Sequence, residues 1–222
     1  MHRTRSPRWF RTLAPVARLA AGAALGAALL APTAASAQSA PAPAAPRAGA
    51  GVYAIDASHS ELNFRIRHLV SRVNGTFREW KGTITAPDPD RWETASIEVV
   101  IQTASIDTKN QRRDDHLRTS DFFLADEHPQ ITFRSTRIER SGEQARIHGN
   151  LTMRGVTRPV VLEGTFLGST RTAQGKTRVG FEAETTVNRL DYGVAWNRAA
   201  EGGGLTLGDE VTIAITVAAV EQ

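Results

Sequence analysis

Ser96-Ile97-Glu98-Val99-Val100-Ile101, then Arg112-Arg113-Asp114-Asp115-His116-Leu117 and Asp121-Phe122-Phe123, are the parts of one stretch, Ala95 to Pro129, whose reading decides the fold. Ile97, Val99 and Ile101 alternate with Ser96, Glu98 and Val100, a period of two that predicts a half-buried strand. Ser105-Ile106-Asp107-Thr108 follows, and the charged segment after it predicts a short polar helix. Pro129 precedes a second alternating run at Ile131 and Phe133. Nearly everything else in the body of the chain has strand periodicity. One helical insert in an all-β protein predicts a closed or nearly closed sheet with a helix laid across its mouth.

Working outward, the alternation recurs at short spacing. Leu62, Phe64, Ile66 and His68 form the apolar face of one strand, and Val73, Gly75 and Phe77 the next. Trp80, Gly82 and Ile84 continue after a bend, until Pro87 and Pro89, which cannot donate into a ladder, end the run. Ser141-Gly142 turns the strand begun at Ile131 into one carrying Ala145, Ile147, Gly149, Leu151 and Met153. Arg154-Gly155-Val156-Thr157 is a hairpin turn in which Gly155 supplies a positive φ. Val160 to Phe166, Val179 to Val187 and Val211 to Val217 complete the set. The result is an all-β, eight-stranded antiparallel barrel with a short helical insert, because closure removes exposed edges. Its interior is filled by side chains or holds one small ligand.

The N-terminal residues stand apart from the barrel. Arg3, Arg5, Arg8, Arg11 and Arg18 make a basic start, Leu19 to Ala31 is an uncharged apolar run, and Ala35-Ser36-Ala37 offers a small-residue cleavage site. Residues 1–37 are therefore expected to be a cleavable signal peptide that sends the protein to the periplasm by the general export route. Residues 38–51, rich in Ala and Pro, read as a disordered linker, and the folded domain is expected over 52–222. The first 37 residues hold five of the 27 basic side chains and none of the 23 acidic ones, leaving 22 against 23, a net charge of about −1. That balance gives no case for nucleic-acid binding. The chain has no cysteine, so packing must hold the domain without disulfides.

The residues that carry chemistry are few. No glycine-x-serine-x-glycine elbow occurs, and Ser60 beside His59 points to the opposite face of a strand, so covalent catalysis lacks its geometry. The histidines at 59, 68, 116, 128 and 148 include no pair at zinc-motif spacing, so no metal and no cofactor are expected. Asp114, Asp115 and His116 fan out by about 100° each on a helix and read as a solvated polar face with local ion pairs. His68 is either a hydrogen-bonded core histidine or a polar tip that meets a ligand head group. Phe122 and Phe123 plug the insert into the sheet, or form one wall of a ligand entrance. Asn188-Arg189-Leu190-Asp191-Tyr192-Gly193 breaks a regular strand, with Asp191 expected to pair with Arg189 across a bulge.

Taken in order, the fragments resemble the YceI family of exported polyisoprenoid-binding proteins. They are Tyr53-Ala54-Ile55-Asp56, His59-Ser60, Phe64, His68, Gly75-Thr76-Phe77 and Gly82, then Ser105-Ile106-Asp107-Thr108, Arg113-Asp114, His116-Leu117 and Asp121-Phe122-Phe123. Pro129, Ile131-Thr132-Phe133, Gly149-Asn150-Leu151-Thr152, Gly155-Val156-Thr157, Pro159-Val160, Asn188-Arg189, Asp191-Tyr192-Gly193 and Leu207-Gly208-Asp209-Glu210-Val211 continue the match over residues 52–220. Arg154 and Arg158 fall at variable turn positions of the family. The resemblance implies an extended lipocalin-like barrel, often a homodimer, whose tunnel holds a polyprenyl phosphate or a quinone tail. Position and chemistry then nominate Phe64, Ile66 and Phe77 as apolar lining, with His68, Arg113, His116 and Arg189 as head-group contacts. The expected function is non-catalytic carriage or sequestration of an isoprenoid lipid, with transient contact to a membrane or membrane protein. The rival readings are a packed interaction barrel without a cavity, and an acid–base enzyme using His68 or His116 on a quinone-like ligand.

Overall fold

A computed structural model describes residues 51–88 and 91–222. The signal-peptide reading of 1–37 and all of the linker but Gly51 lie outside the described residues; Gly51 itself already belongs to the first strand. Eleven strands follow in chain order: β1 (Gly51–Ile55), β2 (Glu61–His68), β3 (Ser71–Phe77), β4 (Trp80–Ala86), β5 (Ser96–Gln102), β6 (Ile106–Asp107), β7 (Gln130–Ser141), β8 (Gln144–Met153), β9 (Val156–Arg171), β10 (Thr177–Asn188) and β11 (Leu207–Glu221). The helix α1 spans Gln111–Arg118 between β6 and β7.

The strands β1-β4-β5-β7-β8-β9-β10-β11 form a closed antiparallel ring of eight, completed by β1 pairing back onto β11. The other three extend the wall. The chain from 51 to 68 is in effect one long strand, broken into β1 and β2 by a 3-10 turn at Ala57–His59. Both halves lie along β11, which pairs with β2 through Leu207–Thr216 and with β1 through Ala219–Glu221. At the break Ser60 replaces the ladder: its Oγ accepts from Ala218 N–H at 2.9 Å and donates to Ala218 C=O at 3.3 Å. The chain bends again between β3 and β4, and between β5 and β6. Eight bent strands thus account for eleven segments, as the alternation predicts.

The ring is continuous around the β1, β4 and β5 half. In the other half β6 is two residues long and pairs only with β3. Helix α1 and the segment after it fill that side, with Leu117, Phe122 and Phe123 packed into the main core. Asn110 caps the helix by accepting from Arg113 N–H at 3.1 Å. The helix is less solvated than its composition suggests. Asp114 is buried and accepts from Thr108 N–H at 2.9 Å and Thr108 Oγ1 at 2.5 Å. Only Asp115, paired with Arg118 at 2.9 Å, and His116, against Asp121 at 2.7 Å, behave as the predicted polar face.

A second core closes the far end. Trp92, on the connection between β4 and β5, packs its ring against Tyr53 (5.8 Å between centroids), Phe181 (5.3 Å) and Phe166 (6.2 Å). The β8–β9 turn has φ of 50° at Arg154 and 74° at Gly155, the two positive values that a two-residue hairpin turn requires.

Candidate functional site

Between the Trp92 end and the helix lies a cavity of about 1020 Å³. Its wall follows from strand parity. The odd positions of β8, β10 and β11 and the even positions of β9 face inward, so Ile147, Ala183, Ile213 and Val160 all reach it. The predicted lining residues Phe64, Ile66 and Phe77 are brought together on it. Phe64 and Phe77 stand 5.8 Å apart, and Phe123 meets the edge of Phe77 at 6.1 Å. Phe123 is thus both plug and wall.

The polar side chains gather at the helix-bearing end. His68 is half-buried on the wall opposite Leu207, and its imidazole has no hydrogen-bond partner among the described residues. It is therefore not the hydrogen-bonded core histidine of the alternative reading. Arg113 lines the same end, with Nε donating to Thr108 Oγ1 at 2.7 Å and Nη2 to Thr108 C=O at 2.8 Å. His116 Nε2 lies 2.7 Å from Asp121 Oδ2, and its ring meets Phe122 and Trp196 edge-on, each at 5.1 Å.

Arg189 corrects the sequence reading. It does not pair with Asp191: the 3-10 turn over Arg189–Tyr192 points Arg189 inward, 3 % exposed, and leaves Asp191 at the surface. Its Nε donates to Gly208 C=O at 2.9 Å, and its Nη1 donates to Val194 C=O at 2.5 Å and Trp196 C=O at 2.9 Å. Nη2 has no hydrogen bond and sits 3.5 Å from Asp209. Burial lowers its pKa and Asp209 opposes the shift, yet an arginine stays charged at neutral pH. Arg189 reaches the cavity wall, but most of its donors hold the β10–β11 connection in place.

That connection carries what the sequence reading missed. Trp196 lines the cavity, its ring tilted against Phe122 at 5.2 Å between centroids, with the Arg198 guanidinium 6.0 Å over its face. Arg112 and Arg198 also line this end. A lone tryptophan in a glycine-rich loop was the available signal. Arg154, in the β8–β9 turn, fastens the same end, donating to Gly193 C=O and, at 2.8 Å, to Ser120 C=O. Among the described residues no cluster of three or more histidine or acidic side chains is placed to hold a metal ion.

Comparison with known proteins places the chain. A family model described as a YceI-like domain matches residues 53–219. Protein YceI of Shigella flexneri is 37% identical over 173 residues, covering 77% of this chain and 87% of that protein. The crystal structure of the Campylobacter jejuni YCEI protein superposes with a TM-score of 0.62 at 32% identity, over 71% of this chain and 90% of that one. A polyisoprenoid binding domain from Saccharophagus degradans, implicated in plant cell wall breakdown, shares the fold at a TM-score of 0.56 and 15% identity, over 77% of this chain and 98% of that one. With the match running from β1 into β11, the chain belongs to the YceI-like domain family.

Proposed function

We propose that this protein is a non-catalytic periplasmic binding protein that carries or sequesters a long-chain isoprenoid lipid, a polyprenyl phosphate or an isoprenoid quinone. The cavity carries this reading. It is a space of about 1020 Å³ behind a largely apolar wall, and a hydrocarbon chain seated there removes apolar surface from water on both partners. Water is a poor occupant, because a wall of isoleucine, valine and phenylalanine offers it too few hydrogen-bond partners. The volume is at the upper end of the ~300–1,000 Å³ of small-molecule sites, as a long chain would need. It also removes the support for a packed interaction barrel.

Each five-carbon prenyl unit gains on the order of 3–4 kcal/mol on leaving water, at about 0.8 kcal/mol per buried carbon group. Ordering the flexible chain returns part of that. Length and shape therefore set affinity, and the polar end sets direction. A phosphate or quinone oxygen is oriented toward Arg112, Arg113, His68 and His116, while the tail runs toward Trp92. The shared fold of the Saccharophagus degradans polyisoprenoid binding domain gives precedent for such a ligand. The basic and apolar N-terminal segment supports export.

The test is to produce the full chain with its own N-terminus, purify it without detergent, and analyse an organic extract by mass spectrometry. One prenyl species at near-stoichiometric amount is the expected result, reduced in Phe64→Ala. A clean extract, unchanged after incubation with polyprenyl phosphate and with a prenyl quinone, overturns the reading.

A further inference from the structure

The rim of the helix-bearing end holds apolar side chains turned to solvent. Leu69 and Val70 form the turn between β2 and β3, with Leu69 42% and Val70 fully exposed. Leu205, in the β10–β11 connection, is 54% exposed. Leu69 N–H donates to Thr206 C=O at 2.8 Å, which joins turn and connection into one rim. This rim adjoins the cavity, since His68 on one side of the turn and Thr206 and Leu207 beyond it are wall residues.

Three features of the tip work against the isolated fold. Leu69 has φ of 52°, where glycine or asparagine is the ordinary choice. Val70 buries nothing. Arg67 and Arg72 are direct cross-strand partners, an arrangement that repels. The hairpin itself carries charge of one sign. From Leu62 to Arg78 there are four arginines and no acidic residue. Arg78 pairs with Asp107, but no described carboxylate lies within ion-pairing distance of Arg65, Arg67 or Arg72. Elsewhere on the wall Arg134, Arg146 and Arg178 are paired with Glu98, Glu163 and Asp56. Of the acidic residues on the adjoining connection and the start of β11, Asp209 faces Arg189, while Asp191, Glu201 and Glu210 are exposed.

We propose that this hairpin tip docks on the surface of an anionic lipid bilayer. Leu69, Val70 and Leu205 enter the interface, and Arg65, Arg67 and Arg72 meet lipid phosphates. Docking sets the cavity mouth against the membrane, where a prenyl chain can pass without crossing water. The inference rests on the lipid-binding reading of the cavity.

Sedimentation with phosphatidylglycerol–phosphatidylcholine vesicles, compared with phosphatidylcholine alone, tests it on the protein obtained from the full chain. The wild type is expected to sediment with the anionic vesicles and to be released by salt. Arg67→Gln and Arg72→Gln should each lower partitioning about fivefold. Leu69→Asn combined with Val70→Ser should lower it about tenfold or more, while relieving the strained turn. Leu167→Ser, an exposed apolar residue on the overhang of β9, should change nothing. Equal sedimentation of the double variant, or equal loss in Leu167→Ser, overturns the proposal. Absence of wild-type sedimentation overturns it too and leaves the rim to a protein partner. Mass spectrometry of bound lipid on the same samples separates the two readings. Protein that carries isoprenoid yet ignores vesicles fails the docking alone, and protein that sediments without isoprenoid fails the cavity reading alone.

Discussion

Gly149 and Gly75 each lie beneath an aromatic ring, yet a methyl group would act differently at the two sites. At Gly149 a Cβ would meet the Phe133 ring and come within 2.6 Å of Arg134 C=O. The carbonyl belongs to the paired strand and cannot move aside. Gly149→Ala is therefore expected to cost about 1–3 kcal/mol, read as a lower urea midpoint. At Gly75 the Cβ would meet the far end of the Phe64 ring, and Thr108 Cγ2 at 2.9 Å. That ring can swing toward the cavity, so Gly75→Ala should keep most of its stability and lose bound lipid. Equal unfolding in both variants would refute the distinction. Arg189 presents a second residue-scale case. Arg189→Met strips the donors from the carbonyls of Gly208, Val194 and Trp196 and should cost about 1–3 kcal/mol in urea unfolding. Arg189→Lys should recover only part of this, because a point charge cannot span three acceptors.

Among the elements, β11 is tied at its end by a carboxylate. Glu221 accepts from Thr177 N–H at 3.0 Å, and this hydrogen bond holds its pKa below the usual 4.5. A carboxylate whose folded pKa is depressed stabilises the protein above its unfolded pKa, and that contribution is lost as pH falls through the folded value. Glu221→Gln should thus be less stable than the wild type at pH 7, and the gap should narrow below pH 4.5. Melting curves taken across that range check it; a constant gap would show that the charge is irrelevant. The strands were legible because Ile97, Val99 and Ile101 or Phe64, Ile66 and His68 alternate within a few residues, and period two is a local property. The break at Ser60 was not, since its reason is Ala218, far along the chain. Nor was the fate of Arg189: Asp191 is near in sequence, but the acceptors that decide its position arrive only when the connection folds back. Phe64, Ile66 and Phe77 reach the cavity as read, whereas Trp196 and Arg198 stand in a segment with no periodicity to interpret.

For the whole molecule, the lipid-binding reading makes stability depend on the ligand. A ligand present at about 100 times its Kd adds about 2.7 kcal/mol, and at roughly 2–4 °C per kcal/mol for a domain of this size the Tm should rise by about 5–10 °C. Calorimetry before and after organic extraction and refolding measures the difference, and identical melting would show that the cavity does not depend on its contents. The closure of the ring has a different consequence. Gln222 N–H donates to Val52 C=O at 2.9 Å, so the two ends of the barrel chain meet side by side. The wall stays incomplete until the 15-residue strand β11 has paired, so closing the barrel depends on contacts between its most distant segments and is expected to be slow. The same adjacency makes the covalent order of the strands dispensable. A circularly permuted chain, joined from Gln222 to Gly51 by a short glycine–serine bridge and opened in the hairpin around Gly175, should rebuild the same wall around the same interior.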